Sequence, residues 1–301
     1  MTERINLFYK KGSSKAENDA ENKIRENVLV FLENELPPEY AADEKWRSLY
    51  TKLHETLRTL CPTEYAHVKI VKKGGRKFNY DFDVIYLDSN NTKVHSIKLE
   101  FKHNSSKLEK IPQILSLMDN VGLIDAPSYS EHYYTLYLDA YLAEIAYTGE
   151  KPTLEEYISL VSGIVPEKHP MFMFMRAANP NTAVANIIKE SIHTYLNTYV
   201  SKFKVDEFTK KLVESQSNKY FLLWDLSRFH IDSFSIEDLS IKHINLYIRT
   251  FKKTSNLTKK QTNTIIALST TSEYHLLLRW RNHNGILNPA WQIKVTRKSG
   301  K

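Results

Sequence analysis

One cysteine, no long apolar run and almost no acid near the C-terminus are the first features of this 301-residue chain. The lone Cys61 excludes an internal disulfide, argues against a zinc site built on thiolates, and fits a reducing, intracellular location, without distinguishing cytoplasm from nucleus. No window approaches the ~18 uninterrupted apolar residues that a membrane span needs. The opening stretch, MTERINLFYKKGSS, lacks the apolar segment of a secretory signal, so no membrane partner is expected. Internal repeats and low-complexity segments are also missing. Acids are scarce at one end only: residues 241–301 hold 12 Lys and Arg against the single acid Glu273, a net of +11. Residues 1–170 hold 22 basic and 26 acidic residues, a net of −4, and residues 171–240 hold 8 of each.

With 42% hydrophobic and 26% charged residues, the composition is that of a globular chain able to bury a sizeable core. Its basic end is no disordered tail, because NTIIAL, YHLLLRW and WQIKV alternate or run apolar as strands do. Excess charge can serve solubility alone. A folded basic surface is also the footprint of a phosphate-backbone binder, and no amphipathic basic helix suggests an acidic membrane instead.

Residues 14–35 read as a helix opened by the capping box Ser14-Lys-Ala-Glu17, with Ile24, Val28, Phe31 and Leu32 on one stripe and Pro37-Pro38 ending it. A second helix is expected at about 43–60, with Trp46, Leu49, Leu53 and Leu57 on one face. Ala66–Val71, Lys77–Leu87 and Lys93–Lys102 read as three strands joined by turns at Gly74-Gly75 and Asp88–Asn91, hence an antiparallel meander. Helices are then expected at about 107–118, 131–147, 153–163, 181–202 and 205–215, with seams at Ala126–Ser130 and Pro166–Pro180. Strand signal returns at Tyr220–Trp224 and persists to Val295.

Side chains alternate faces along a strand, so Ile97, Leu99 and Phe101 share a core face while Lys98, Glu100 and Lys102 share the other. Asp81 and Asp83 likewise lie together, opposite Phe82 and Val84. Hairpin pairing allows this acidic face to stand beside Glu100 and Lys102. Three carboxylates and a lysine brought together call for a hard cation such as Mg²⁺, which binds carboxylate oxygens and water and leaves room for phosphate. Such an ion polarises a phosphate and acidifies a bound water, and a neighbouring lysine stabilises developing charge. Spacing alone serves a solvated, charged strand face equally well.

Asp83-Val-Ile-Tyr, a short turn, and Leu99-Glu100-Phe101-Lys102 resemble the PD-(D/E)XK nuclease superfamily, which includes type II restriction endonucleases, junction resolvases and repair exonucleases. The resemblance covers roughly residues 14–118 and departs from the pattern in having no proline before either Asp. It implies a mixed sheet flanked by helices, Asp83 and Glu100 as ligands of Mg²⁺ (with Mn²⁺ as a substitute), and Lys102 serving the attacking water. Asp83 is preferred over Asp81 for the apolar run after it, and Asp81 would assist at the metal. Relatives place an acid from the first helix near the site, for which Glu21 is the candidate, and some place a Gln where Gln113 stands after the ExK. A boundary residue and a solvated Gln account for these two as well. The run from Gly74 to Leu87, with Glu-Phe-Lys and Ile-Pro-Gln after it, also resembles uncharacterised proteins of large DNA viruses.

Other chemistries fail. His283 has no histidine after it, excluding a His-Asn-His arrangement; Gly74-Gly75 leads into a strand, not a nucleotide-binding helix. His103 points to the core face, and the alternating Met171, Phe172, Met173, Phe174 and Met175 suit packing. In the basic end, Lys252, Lys253, Lys259, Lys260, Arg279, Arg281, Asn284 and Arg297 are candidates for contacting duplex DNA, with the cations on the backbone and Arg or Asn on base edges. The expected class is α+β: a restriction endonuclease-like core at 1–125 plus 216–235, a helical insertion at 126–215 and a basic β-rich extension at 236–301. The expected function is Mg²⁺-dependent endonucleolytic cleavage of double-stranded DNA, of restriction type, with which a homodimer is compatible. The alternatives are a non-catalytic nucleic-acid-binding protein and a repair or recombination nuclease (junction resolvase or exonuclease).

Overall fold

A computed structural model describes residues 36, 38–74, 78–103, 105–108, 114–163, 168–178, 182–225, 227–251, 260–282 and 285–297. The fold is α+β, with two five-stranded sheets among the described residues. The expected helix at 14–35 lies outside the described residues, as do Glu21, Gln113, Lys252, Lys253, Lys259 and Asn284. Among the described residues, no helix is long and apolar enough to cross a membrane.

Two compact units divide the chain: residues 1–111 with 213–236, and residues 112–212 with 237–301. In the first, β1 (His67–Lys72), β2 (Phe82–Leu87) and β3 (Lys93–His103) form the expected antiparallel meander. Next to β3, β5 (Lys219–Trp224) runs parallel, and β6 (Phe229–Asp232) closes the sheet antiparallel to β5. The Glu44–Thr59 helix starts at Asp43, whose carboxylate accepts from the Lys45 N–H at 2.9 Å, and buries Trp46, Leu49, Leu53 and Leu57. That stripe packs with Phe82, Val84, Tyr86, Ile97, Leu99, Phe101, Leu222 and Trp224 from one face of the sheet. The Tyr86 hydroxyl donates to the Leu57 carbonyl at 2.7 Å, tying the strand to the helix's last turn. His103, on this same core face, is buried 6.5 Å from the Phe101 ring. β2 begins at Phe82, later than periodicity suggests, and before it the Asn79 side-chain amide donates to the Ser215 carbonyl at 3.1 Å.

The second unit joins what sequence periodicity divides into a helical insertion and a separate β-rich extension. Its sheet is antiparallel throughout, in the order β4 (Leu115–Met118), β10 (Leu287–Arg297), β9 (Ser272–Asn282), β8 (Lys260–Ser269), β7 (Ile241–Phe251). Residues 114–118, expected as helix, pair as a strand instead: Ile114 N–H donates to the Ile293 carbonyl at 2.9 Å and Leu117 stands opposite Trp291. Tertiary pairing outweighs local pattern there. The Tyr129–Leu136 helix packs on this sheet, with Trp280 Nε1 donating to the Tyr129 hydroxyl at 3.3 Å. The Pro166–Pro180 segment, expected as a seam, contains the Pro170–Ala177 helix, capped by the His169 ring at 3.3 Å from the Met171 N–H. Met171, Phe172 and Met175 are buried in it, while Met173 and Phe174 stay exposed.

The β5–β6 hairpin is clasped by Asp225, which accepts from the Ser227 hydroxyl at 2.6 Å, the Ser227 and Arg228 N–H groups at 2.9 Å each, and pairs with His230 Nε2 at 2.8 Å. Burial alone would raise this carboxyl; the hydrogen bonds from Ser227, His230 and Arg228 outweigh it and hold Asp225 well below its ordinary 3.8. A depressed carboxylate contributes stability above its unfolded pKa and loses it as pH falls through the folded value. Asp225→Ala is therefore expected to cost about 1–3 kcal/mol at pH 7. Urea denaturation at decreasing pH should show that difference shrinking below the carboxylate's ordinary range.

Candidate active site

The face of the first sheet that points away from the helix carries the charged residues. In the β2–β3 ladder Phe82 pairs with Leu99 and Asp83 with Lys98. One step further, the Asp81 N–H donates to the Leu99 carbonyl at 3.0 Å, so Asp81 stands beside Glu100. Glu100 and Asp81 are buried, at 8% and 7% exposure. Asp81 Oδ2 accepts from the Phe101 N–H at 2.9 Å, a cross-strand bond that holds the carboxylate against β3. Asp83, two register steps away on the same face, lies 3.3 Å from the Lys73 ammonium and accepts a hydrogen bond from Tyr80. Burial, that bond and the Asp83 charge together raise the Tyr80 phenol above its ordinary value. The register thus sets Asp81 beside Glu100, and Asp83 with Lys73.

Glu100 is flanked by two ammonium groups. Lys102, two residues on along the same face and partly exposed, pairs with Oε1. Lys219, the first residue of β5, pairs with Oε2 and also donates to the Asn79 carbonyl at 2.5 Å. Its side chain has no exposure at all. Burial pulls the Lys219 ammonium below its ordinary value, while the charge and hydrogen bond of Glu100 push it back up. Periodicity within Tyr220–Trp224 gives no hint of Lys219. The legible signal is that Lys219, Phe221 and Leu223 share one strand face, where a lysine in line with buried apolar residues needs an acid.

Among the described residues, no three His, Cys, Asp or Glu side chains form a group that could hold a metal. A Mg²⁺ ion asks for less: one or two carboxylates, with water and phosphate oxygens completing six positions. Asp81 and Glu100, hard oxygen donors on adjacent strands, match that requirement in chemistry and placement.

Of the candidate DNA contacts, Arg279 and Arg281 are exposed on the outer face of β9, alternating with the buried Leu278 and Trp280. Lys294 is exposed on β10, where it pairs in register with His275. Lys260 opens β8 opposite Phe251. Arg297 is half-buried, with Nη2 3.4 Å from Asp238 Oδ2, where it helps anchor the sheet.

Removing Lys219 leaves a buried carboxylate oxygen without its cation, whereas removing Lys102 exposes the other oxygen to water. Lys219→Met is expected to lower unfolding free energy by about 3–5 kcal/mol. Lys102→Met should cost about 1 kcal/mol or less. Denaturant titration of both variants checks this, and equal losses would contradict the burial asymmetry. No protein-family model, curated protein or solved structure matches the chain.

Proposed function

We propose that this chain is a Mg²⁺-dependent DNA endonuclease of the PD-(D/E)XK type, with Asp81, Glu100 and Lys102 at its centre. The observation that carries the reading is the Asp81–Glu100 juxtaposition across the β2–β3 ladder, with Lys102 on the same face. A mixed sheet with a helix packed on its opposite face supports it, as that is the core the resemblance implies.

Asp81 and Glu100 would hold the ion, which when bound supplies positive charge at the scissile phosphate and a more acidic water. Lys102, the partly exposed cation of the cluster, can donate to a phosphate oxygen or to the attacking water and stabilise charge as it develops. The Phe101 N–H keeps Asp81 turned toward β3, so the carboxylate need not be reoriented for each turnover. Asp83 balances Lys73 at the rim. In the second unit, the exposed Arg279, Arg281 and Lys294 offer cations to a phosphate backbone, and Gln292 adds an amide beside Leu277 on that face.

The rival reading, a nucleic-acid-binding protein without catalysis, draws on one observation: each carboxylate of the cluster already has a protein cation or N–H partner. Supercoiled DNA separates the two. Wild type should nick or linearise it with Mg²⁺ and not with EDTA, and Lys102→Ala should lose on the order of 100-fold or more in rate. Retained binding with no product under any condition would favour the rival. In binding assays without Mg²⁺, Arg279→Ala/Arg281→Ala should weaken affinity across unrelated sequences and reduce the salt slope by about 2. An unchanged slope would remove these arginines from the interface.

A further inference from the structure

Lys219 belongs to no sequence motif, yet it is the most deeply buried charge at the cluster. Water reaches Lys102 but not Lys219, whose side chain is fully enclosed. An enclosed ammonium is costly unless an acid requires it. Its position is fixed from two sides, by Glu100 Oε2 and by the Asn79 carbonyl, and the Asp81 carboxylate also acts on it electrostatically. Lys219 is set by the β3–β5 pairing, where its Cα stands beside that of Lys98 at the start of the parallel ladder.

The two oxygens of Glu100 are thereby divided. Oε1 faces the partly exposed Lys102 and Oε2 faces Lys219. A pair of divalent ions clamping a phosphate would need bridging carboxylate oxygens, with the ions only ~4 Å apart. Charge counting opposes this. Asp81 and Glu100 are already matched by Lys102 and Lys219, and Asp83 by Lys73, so a second ion would meet a cluster that the first had made positive.

We infer that Lys219 is a tethered cation of the active centre, holding Oε2 of Glu100 so that Glu100 and Asp81 together would hold one divalent ion and no second. This rests on the nuclease reading proposed above. Lys219 acts through Glu100 and touches neither substrate nor the reacting atoms, so it is a positioning residue.

Two measurements with Mn²⁺ alone as the probe test the inference. Anomalous scattering from Mn²⁺-soaked crystals of the full chain should show one ion at Asp81 and Glu100, with the Lys219 ammonium still on Oε2. Calorimetric titration should give one Mn²⁺ per chain at this site. Lys219→Met, lacking one positive charge, should bind Mn²⁺ roughly tenfold more tightly or take a second ion. Two ions in the wild type, a displaced Lys219, or unchanged or weaker binding by a folded Lys219→Met would overturn the inference and leave the nuclease reading standing. If Lys219→Met does not fold, the wild-type crystals decide alone. Wild type that takes no Mn²⁺ at this site in either measurement would overturn the nuclease reading, and the inference with it.

Discussion

The register between β2 and β3 determines what each residue of this region can do. With Phe82 opposite Leu99 and Val84 opposite Ile97, the apolar halves of both strands meet the helix, and the charged halves meet each other. A slip of one residue would turn Asp81 and Asp83 into the helix-facing core and expose Phe82, Val84 and Tyr86. Both ends of the hairpin guard against that slip. At the turn, Asp88 Oδ1 accepts from the N–H groups of Asn90 and Thr92 at 2.8 Å each, and Asn91 takes the positive φ of 62° that Asn tolerates well. At the other end, the Asp81 N–H and carboxylate both bond to the backbone of β3.

This register places Glu100 in the interior of the sheet, between β2 and β5, where a carboxylate is largely cut off from water. An acid so placed must be neutralised or hydrogen-bonded. Neighbours in sequence supply only Lys102, which reaches one oxygen. The second cation comes from a strand more than a hundred residues later, delivered by the parallel pairing of β5 with β3. Parallel neighbours require a crossover connection, and here that connection carries much of the second unit. The cluster and the chain topology are thus one problem: without the return of β5 to β3, Glu100 would lack its inner counter-ion.

What could be read from the sequence follows from the range of the forces involved. The Glu44–Thr59 helix and the β1–β3 meander were legible because one apolar stripe and three alternating runs within about forty residues determine them locally. So were the faces of Glu100 and Lys102, since alternation alone assigns them. Asp81 and Asp83 share a face, and only the pairing register distinguishes which one stands beside Glu100. Ile114–Met118 has no local reason to be a strand; its partner is β10, far along the chain. Alternation could mark Lys219 as a lysine on an apolar strand face, but not which acid it meets, because Glu100 lies more than a hundred residues earlier. Other misses were legible: Ser128 with Glu131 forms a complete capping box that starts a helix at Tyr129, two residues before the expected position.

Formal charge and available charge differ in both segments, and on the proposed reading the difference bears on how a polyanion would meet them. The +11 of the C-terminal segment includes Arg297, which is committed to Asp238, so it overstates what a phosphate can contact. The −4 of the first 170 residues already counts Lys73 and Lys102 but not Lys219, which brings one further positive charge to the three carboxylates of the sheet face. Three unpaired carboxylates would repel a phosphate strongly at short range, where screening by salt is weakest. A face balanced by its own lysines removes that barrier before any ion binds. Lys102 and Lys219 also keep the buried Glu100 in place, so on the proposed nuclease reading the stability of the sheet and the approach of an anionic substrate would depend on the same cations.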